Sequence, residues 1–203
     1  MSNKNSKKKS KSFRYFLGSG FLKVFGWSIK GESPKGSKYI MVAAPHTSNW
    51  DLPFMLATTY VLGMSVSWVG KHTIFRGPLG WFLERVGGIP VDRTSRHGAV
   101  DQIVERFNQS EHLILGIAPS GTRKKKESWK SGFYWMAYKA EIPILLGYLD
   151  YKNKEACIGK SIMPTGDLTH DMDIVREFYS GITGKYPTLT SRIRLLDEHL
   201  AEK

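Results

Sequence analysis

The sequence predicts an α/β protein, a single domain in which a mixed, largely parallel sheet is flanked by helices. Three observations carry that expectation. Short apolar, β-branched runs alternate with stretches of helical periodicity, which is the pattern of strand–helix–strand units. With 203 residues, 41% of them hydrophobic, the chain is long enough for one substantial core and too short for two ordinary domains joined by a linker. Unusual polar clusters recur just after the predicted strands, the edge at which open α/β sheets bind ligands.

Taken in order, residues 38–44 (Lys-Tyr-Ile-Met-Val-Ala-Ala) read as a strand closed by Pro45 and feeding a helix over 51–62. Residues 65–69 and 88–91 read as further strands, with a helix over 79–85 between them. The run from Leu52 to Val69 approaches the ~17–25 residues of a membrane span. Pro53, Thr58, Thr59, Gly63, Ser65 and Ser67 interrupt it, so it reads as a core helix followed by a strand. After Val91, Thr94 or Ser95 is expected to cap a helix whose Val100, Ile103, Val104 and Phe107 form one buried stripe. A strand over 113–118, a helix over 132–140, a strand over 144–149 and two closing helices, over 172–179 and 191–201, complete the reading.

The net charge of +12 calls for a negatively charged partner: nucleic acid, an anionic membrane surface or a phosphorylated substrate. The lone Cys157 has no partner for an internal disulfide and reads as a buried, reduced thiol. Five lysines fall within the first eleven residues, followed by an aromatic-rich stretch to Trp27 without the features of a signal peptide. Phe13, Phe16, Leu17, Phe21 and Trp27 suit a bilayer interface while the lysines face anionic headgroups. Glycines 18, 20 and 26 weaken a helix there, and a helix packed on the domain is the alternative.

The candidate chemistry begins with His46 and Asp51. Five steps of 100° leave two such residues about 140° apart on a regular helix, so one of them must lie off it. With His46 in the loop and Asp51 in the first helical turn, the carboxylate can meet the imidazole, leaving the other ring nitrogen to take a proton from an alcohol. Spacing alone leaves a second reading open. In that reading Thr47, Ser48 or Asn49 caps the helix, Asp51 complements its dipole and His46 is a loop residue.

The order of four blocks adds to this. His46-Thr-Ser-Asn-Trp-Asp51 is followed by Gly-Ile-Pro-Val-Asp-Arg93, then Pro-Ser-Gly-Thr-Arg123, then Ile-Pro-Ile144. In order and spacing, over residues 40–150, this resembles the lysophosphatidate and glycerol-3-phosphate acyltransferase family. The resemblance implies a glycerol-phosphate acyltransferase-like fold, an acyl thioester donor (acyl-CoA or acyl carrier protein) and a lysophospholipid or glycerol-phosphate acceptor. It implies no cofactor and no metal. It makes His46 the base and Asp51 its orienting partner, with Arg93 and the turn of Ser120, Gly121, Thr122 and Arg123 on the acceptor phosphate. Guanidinium groups and glycine turns suit that anion. Trp129-Lys-Ser-Gly132 resembles the segment that follows the third block and adds Lys130, for which a solvated lysine is the alternative.

The domain expectation follows: residues 1–30 as a basic, membrane-interfacial segment and 31–203 as the acyltransferase domain, peripheral on the cytoplasmic face of a membrane. Ser120 departs from the family, because the common third block has glutamate there. That departure leaves the acceptor open, with 1-acyl-sn-glycerol 3-phosphate first and glycerol 3-phosphate or an amino-acid lipid as alternatives. A non-catalytic, basic membrane- or nucleic-acid-binding module is the competing class. The run Arg123–Lys126 lies near aromatic residues, but no zinc spacing, RNA-recognition signature or Walker loop accompanies it, and no nucleic acid is expected. His170-Asp-Met-Asp173 reads as a solvated helix start.

Overall fold

Each strand–helix unit expected between residues 38 and 149 is present in the computed structural model, which describes residues 12–91 and 98–200. The elements run α1 (Phe13–Phe25), β1 (Ser28–Gly31), β2 (Lys38–Ala43), α2 (Asp51–Val61), β3 (Val66–Lys71), α3 (Gly77–Arg85) and β4 (Gly88–Val91). They continue with α4 (Ala99–Gln109), β5 (Leu113–Ile117), α5 (Gly132–Lys139), β6 (Ile144–Asp150), β7 (Glu155–Ile162) and α6 (Leu168–Phe178).

The strands make one seven-stranded sheet in the order β1-β7-β6-β2-β5-β3-β4. From β6 to β4 all pairs are parallel; β7 runs antiparallel to β6, and β1 runs parallel to β7. The central strand β2 is buried at four successive residues, Tyr39 to Val42, as expected of a parallel strand covered on both faces. Because β2 and β5 are neighbours, the loops that leave their carboxyl ends, at Pro45 and Ala118, emerge side by side.

Two clusters lie on the α1–α2 side of the sheet, one of them around Leu22, Phe54 and Ala57. The larger core takes in α4, α5 and α6, with Ile103, Phe107, Phe133 and Met172 essentially sealed from water. The helical stripe of α4 is as expected, but its cap is not. Gly98 stands at the N-cap in extended backbone and its carbonyl accepts from the Gln102 N–H, so the helix begins after Thr94 and Ser95, which lie outside the described residues.

α1 is a helix despite its glycines, and one of them explains why. A Cβ on Gly18 would lie 2.5 Å from the Ala57 carbonyl oxygen, so glycine lets α1 approach α2 closely. Ser12 caps the helix and Gly26, at φ +70, closes it. Phe21 and Leu22 pack inward, while Phe13, Phe16, Leu17 and Val24 stay exposed. The expected division at residue 30 falls inside β1, which pairs with β7. Among the described residues no helix is long and apolar enough to cross a membrane.

Two expectations near the C-terminus change. The closing helix over 191–201 is replaced by an extended strap and a single 3-10 turn, Leu196–Leu200. Ile193 and Leu195 follow a strand period, and the strap pairs with Trp129, whose N–H reaches the Arg194 carbonyl at 2.8 Å. The solvated helix start at His170 also needs correction: Asp167 caps α6, and Asp171 is buried, accepting from the Tyr134 hydroxyl at 2.8 Å and the Thr165 N–H at 2.7 Å. Cys157 is buried, as expected.

Phe107→Ala is predicted to lower the free energy of unfolding by about 3–5 kcal/mol, the usual range for emptying a sealed aromatic site. Urea titration followed by circular dichroism measures it.

Candidate active site

The site starts where β2 ends. The chain leaves the sheet at Ala44-Pro45, runs through His46 to Asn49 and enters α2 at Asp51. Pro53 fits in the first turn, where a missing N–H breaks no helical bond. The helix has no side-chain N-cap. Instead Asp51 reaches back: its Oδ2 accepts from the Thr47 N–H at 2.9 Å and the Ser48 N–H at 3.0 Å, and lies 2.9 Å from His46 Nδ1. The Tyr151 hydroxyl, from the turn between β6 and β7, donates to Oδ1 at 2.8 Å. The capping alternative is thereby reversed, with a helix residue capping the loop.

These contacts decide the state of Asp51. Burial opposes its charge, but hydrogen bonds from His46, the Ser48 N–H, Tyr151 and the Thr47 N–H outweigh burial and hold its carboxyl below the usual aspartate value. Burial, reinforced by the Asp51 charge, pushes the Tyr151 phenol far above its ordinary range, so it stays a donor. With Nδ1–H directed at the carboxylate, His46 Nε2 is left as the acceptor nitrogen, and the ring is partly open to solvent.

The third block stands beside this pair, at the end of β5. Gly121 adopts φ +64 and its N–H closes a turn onto the Ala118 carbonyl. The Arg123 guanidinium donates to the Asn49 side-chain oxygen, which ties the first block to the third. A cavity of about 830 Å³ opens here. His46, Asp51, Asn49, Thr122, Arg123 and Lys130 are among its polar lining, with Gly121 beside them, and Met55, Leu56, Val66, Trp68, Ile103 and Phe133 are among its apolar walls. Its size is that of an ordinary ligand site, roughly 300–1,000 Å³.

Not every expected residue is brought in. Ser120 is buried, donates its hydroxyl to the Thr122 carbonyl at 2.7 Å and lines a smaller cleft beside Trp129 and Tyr179, so its side chain shapes the turn instead of facing the cavity. Arg93 lies outside the described residues. Tyr151 was not foreseen, since a tyrosine 100 residues from Asp51 carries no local spacing signal. Neither was Tyr179, whose buried hydroxyl bridges the Val42 and Gly147 carbonyls behind the His46 loop. Among the described residues no cluster of three or more histidine, cysteine, aspartate or glutamate side chains is placed to hold a metal ion.

Fold and site together define an α/β protein with a histidine–carboxylate pair at the carboxyl edge of a mixed, mostly parallel sheet, beside a basic turn and a largely apolar cavity. The chain belongs to the Acyltransferase family, whose sequence profile matches residues 28–145. A 1-acyl-sn-glycerol-3-phosphate acyltransferase of Saccharomyces cerevisiae is 29% identical over 133 residues, which cover 60% of this chain and 43% of the yeast protein. The match thus spans less than half of that relative. The crystal structure of the 1-acyl-sn-glycerophosphate (LPA) acyltransferase PlsC from Thermotoga maritima has a similar fold, with a TM-score of 0.51 at 19% identity over 75% of this chain and 68% of that one.

The depressed pKa of Asp51 makes a signed prediction. A carboxyl lowered in the folded state stabilises the fold above its unfolded value, about 3.9, and that contribution is lost as pH falls through the folded value. Asp51→Asn is therefore expected to be destabilised relative to wild type near neutrality, with the gap narrowing below about pH 4. Urea melts of both proteins across the acid range test this.

Proposed function

We propose that this chain transfers an acyl group from an acyl thioester, acyl-CoA or acyl carrier protein, to a hydroxyl of a glycerol-phosphate-type acceptor, 1-acyl-sn-glycerol 3-phosphate in the first instance. The observation that carries the reading is the 2.9 Å contact between His46 Nδ1 and Asp51, two residues that line the cavity. His46 Nε2 takes the proton from the acceptor hydroxyl and the freed oxygen attacks the thioester carbonyl carbon. The carbon–sulfur bond then breaks, and the leaving thiolate receives the proton that His46 carried. Asp51 fixes the ring's tautomer and stabilises the imidazolium.

Substrate placement follows from the lining. The Arg123 and Lys130 side chains are suited to a phosphate, with the Thr122 hydroxyl beside them. The apolar walls suit an acyl chain. The similarity to the yeast 1-acyl-sn-glycerol-3-phosphate acyltransferase supports the acceptor, and glycerol 3-phosphate is the comparison to run beside it.

A lipid product argues for work at a membrane surface, because exposing a sixteen-carbon chain to water costs on the order of 10 kcal/mol. Two exposed sets of side chains support that placement. Phe13, Phe16 and Leu17 project from α1, and Leu79, Trp81 and Phe82 from α3. With a net charge of +12 they favour an anionic, cytoplasmic-facing leaflet, which the chain binds peripherally.

Radiolabelled donor supplied to purified protein with each acceptor should give labelled phosphatidate or lysophosphatidate. His46→Ala should lower the rate by roughly 10²–10⁴ without loss of the cooperative melt. No thiol release with any donor–acceptor pair, or full activity in His46→Ala, removes the proposal. Arg123→Ala is expected to raise KM for the phosphorylated acceptor more than KM for the donor, as steady-state kinetics with each substrate varied would report. In flotation with anionic liposomes, Phe16→Ser combined with Leu17→Ser should reduce the bound fraction, and binding of the wild type should weaken as salt rises.

A further inference from the structure

We infer that Tyr151 is a positioning residue of the His46–Asp51 pair, one that fixes the carboxylate's orientation and tempers the basicity of the imidazole. The inference deepens the acyl-transfer reading and rests on it for its kinetic consequences alone. Tyr151 lies beyond residues 28–145, the part of the chain matched by the family profile.

The two oxygens of Asp51 are held differently. Oδ2 is held by His46 Nδ1 and by the Thr47 and Ser48 N–H groups; Oδ1 has the Tyr151 hydroxyl at 2.8 Å. Without the Tyr151 hydroxyl Oδ1 loses its 2.8 Å donor, and the plane of the carboxylate is set by the donors on Oδ2 alone.

Tyr151 is itself fixed. Its N–H reaches the Thr183 carbonyl at 2.9 Å, and its ring meets Trp27 edge to face at 4.9 Å between centroids. The Lys185 ammonium lies 5.9 Å from the ring's centre. The same segment holds the other side of the site, since the Tyr186 N–H donates to Thr47 Oγ1 at 3.2 Å. A Cβ on Gly184 would come within 2.9 Å of Thr47 Oγ1, so the segment lies directly against the His46 loop. Tyr151 therefore links a C-terminal brace to the pair.

The chemical consequence has a sign. A phenol that donates to Asp51 draws off part of the charge that would otherwise stabilise the imidazolium. Removing it concentrates that charge on His46, which then binds its proton more tightly and gives it up to the leaving thiolate less readily. A tyrosine that only filled space would have no such effect.

The test is Tyr151→Phe in the full chain, which keeps the ring and its packing. Without substrate, the His46 C2 proton is followed by NMR through a pH titration; its midpoint is expected to move up by about half a unit. With substrates, the acid limb of kcat/KM should move the same way, and kcat should fall roughly tenfold while both KM values stay within about twofold. Site-specific 3-fluorotyrosine at position 151, a stronger donor that preserves the packing, should move the NMR midpoint down; it serves also if Tyr151→Phe does not fold. A midpoint unmoved in a folded Tyr151→Phe, or unmoved by the fluorotyrosine, overturns the inference. So does a loss of activity with the acid limb in place. If wild type transfers no acyl group, the acyl-transfer reading fails and the NMR titration alone decides the role of Tyr151.

Discussion

A carboxylate taken out of water must be given donors in return, and the donors that Asp51 collects organise the site. Two come from the backbone of the loop that follows β2, one from the imidazole of His46 and one from Tyr151 in the turn between β6 and β7. One buried side chain at the start of α2 therefore fixes the loop before it, the ring within that loop and a hairpin turn far along the chain. Each donor also stabilises the ionised form. The geometry that orients His46 and the charge that steadies its imidazolium are one arrangement.

The sheet determines what this arrangement can meet. Because β2 and β5 are parallel neighbours, the His46 loop and the Gly121 turn leave the same edge together, and Arg123 bonds to Asn49 across the gap. Polar residues from both loops thus share one cavity with apolar walls built by α2, β3 and α5. The close approach of α1 through Gly18 leaves Phe13, Phe16 and Leu17 directed to solvent on the outside of the same helical layer. The acyl transfer proposed above, if docked on a membrane surface, would use all three features in one molecule.

Much of this was legible in the sequence because the central strands are buried on both faces and so read as plain apolar runs. β1 and β7 were not. β1 is four residues of mostly exposed edge, and β7 is buried at Ala156, Cys157 and Ile158 and then exposed at its next three positions, which gives neither alternation nor a continuous run. The strap at Ile193 and Leu195 read as helix because a few apolar residues at close spacing serve either period; only Trp129, far away in sequence, shows which. At the site, the pairing of His46 with Asp51 and the neighbourhood of Arg123 and Lys130 followed from motif order. The inward turn of the Ser120 hydroxyl and the bond from Tyr151 did not, since the first depends on local backbone geometry and the second on a contact across 100 residues.

The proposed acyl transfer requires His46 to present a bare Nε2 to the acceptor while Nδ1 keeps its proton for Asp51. Long-range proton–nitrogen NMR of the ring at about pH 8, above the ordinary imidazole range, reads this directly. A protonated Nδ1 and an unprotonated Nε2 are expected, with the pattern lost in Asp51→Asn. A ring that carries its proton on Nε2 would contradict the proposed transfer.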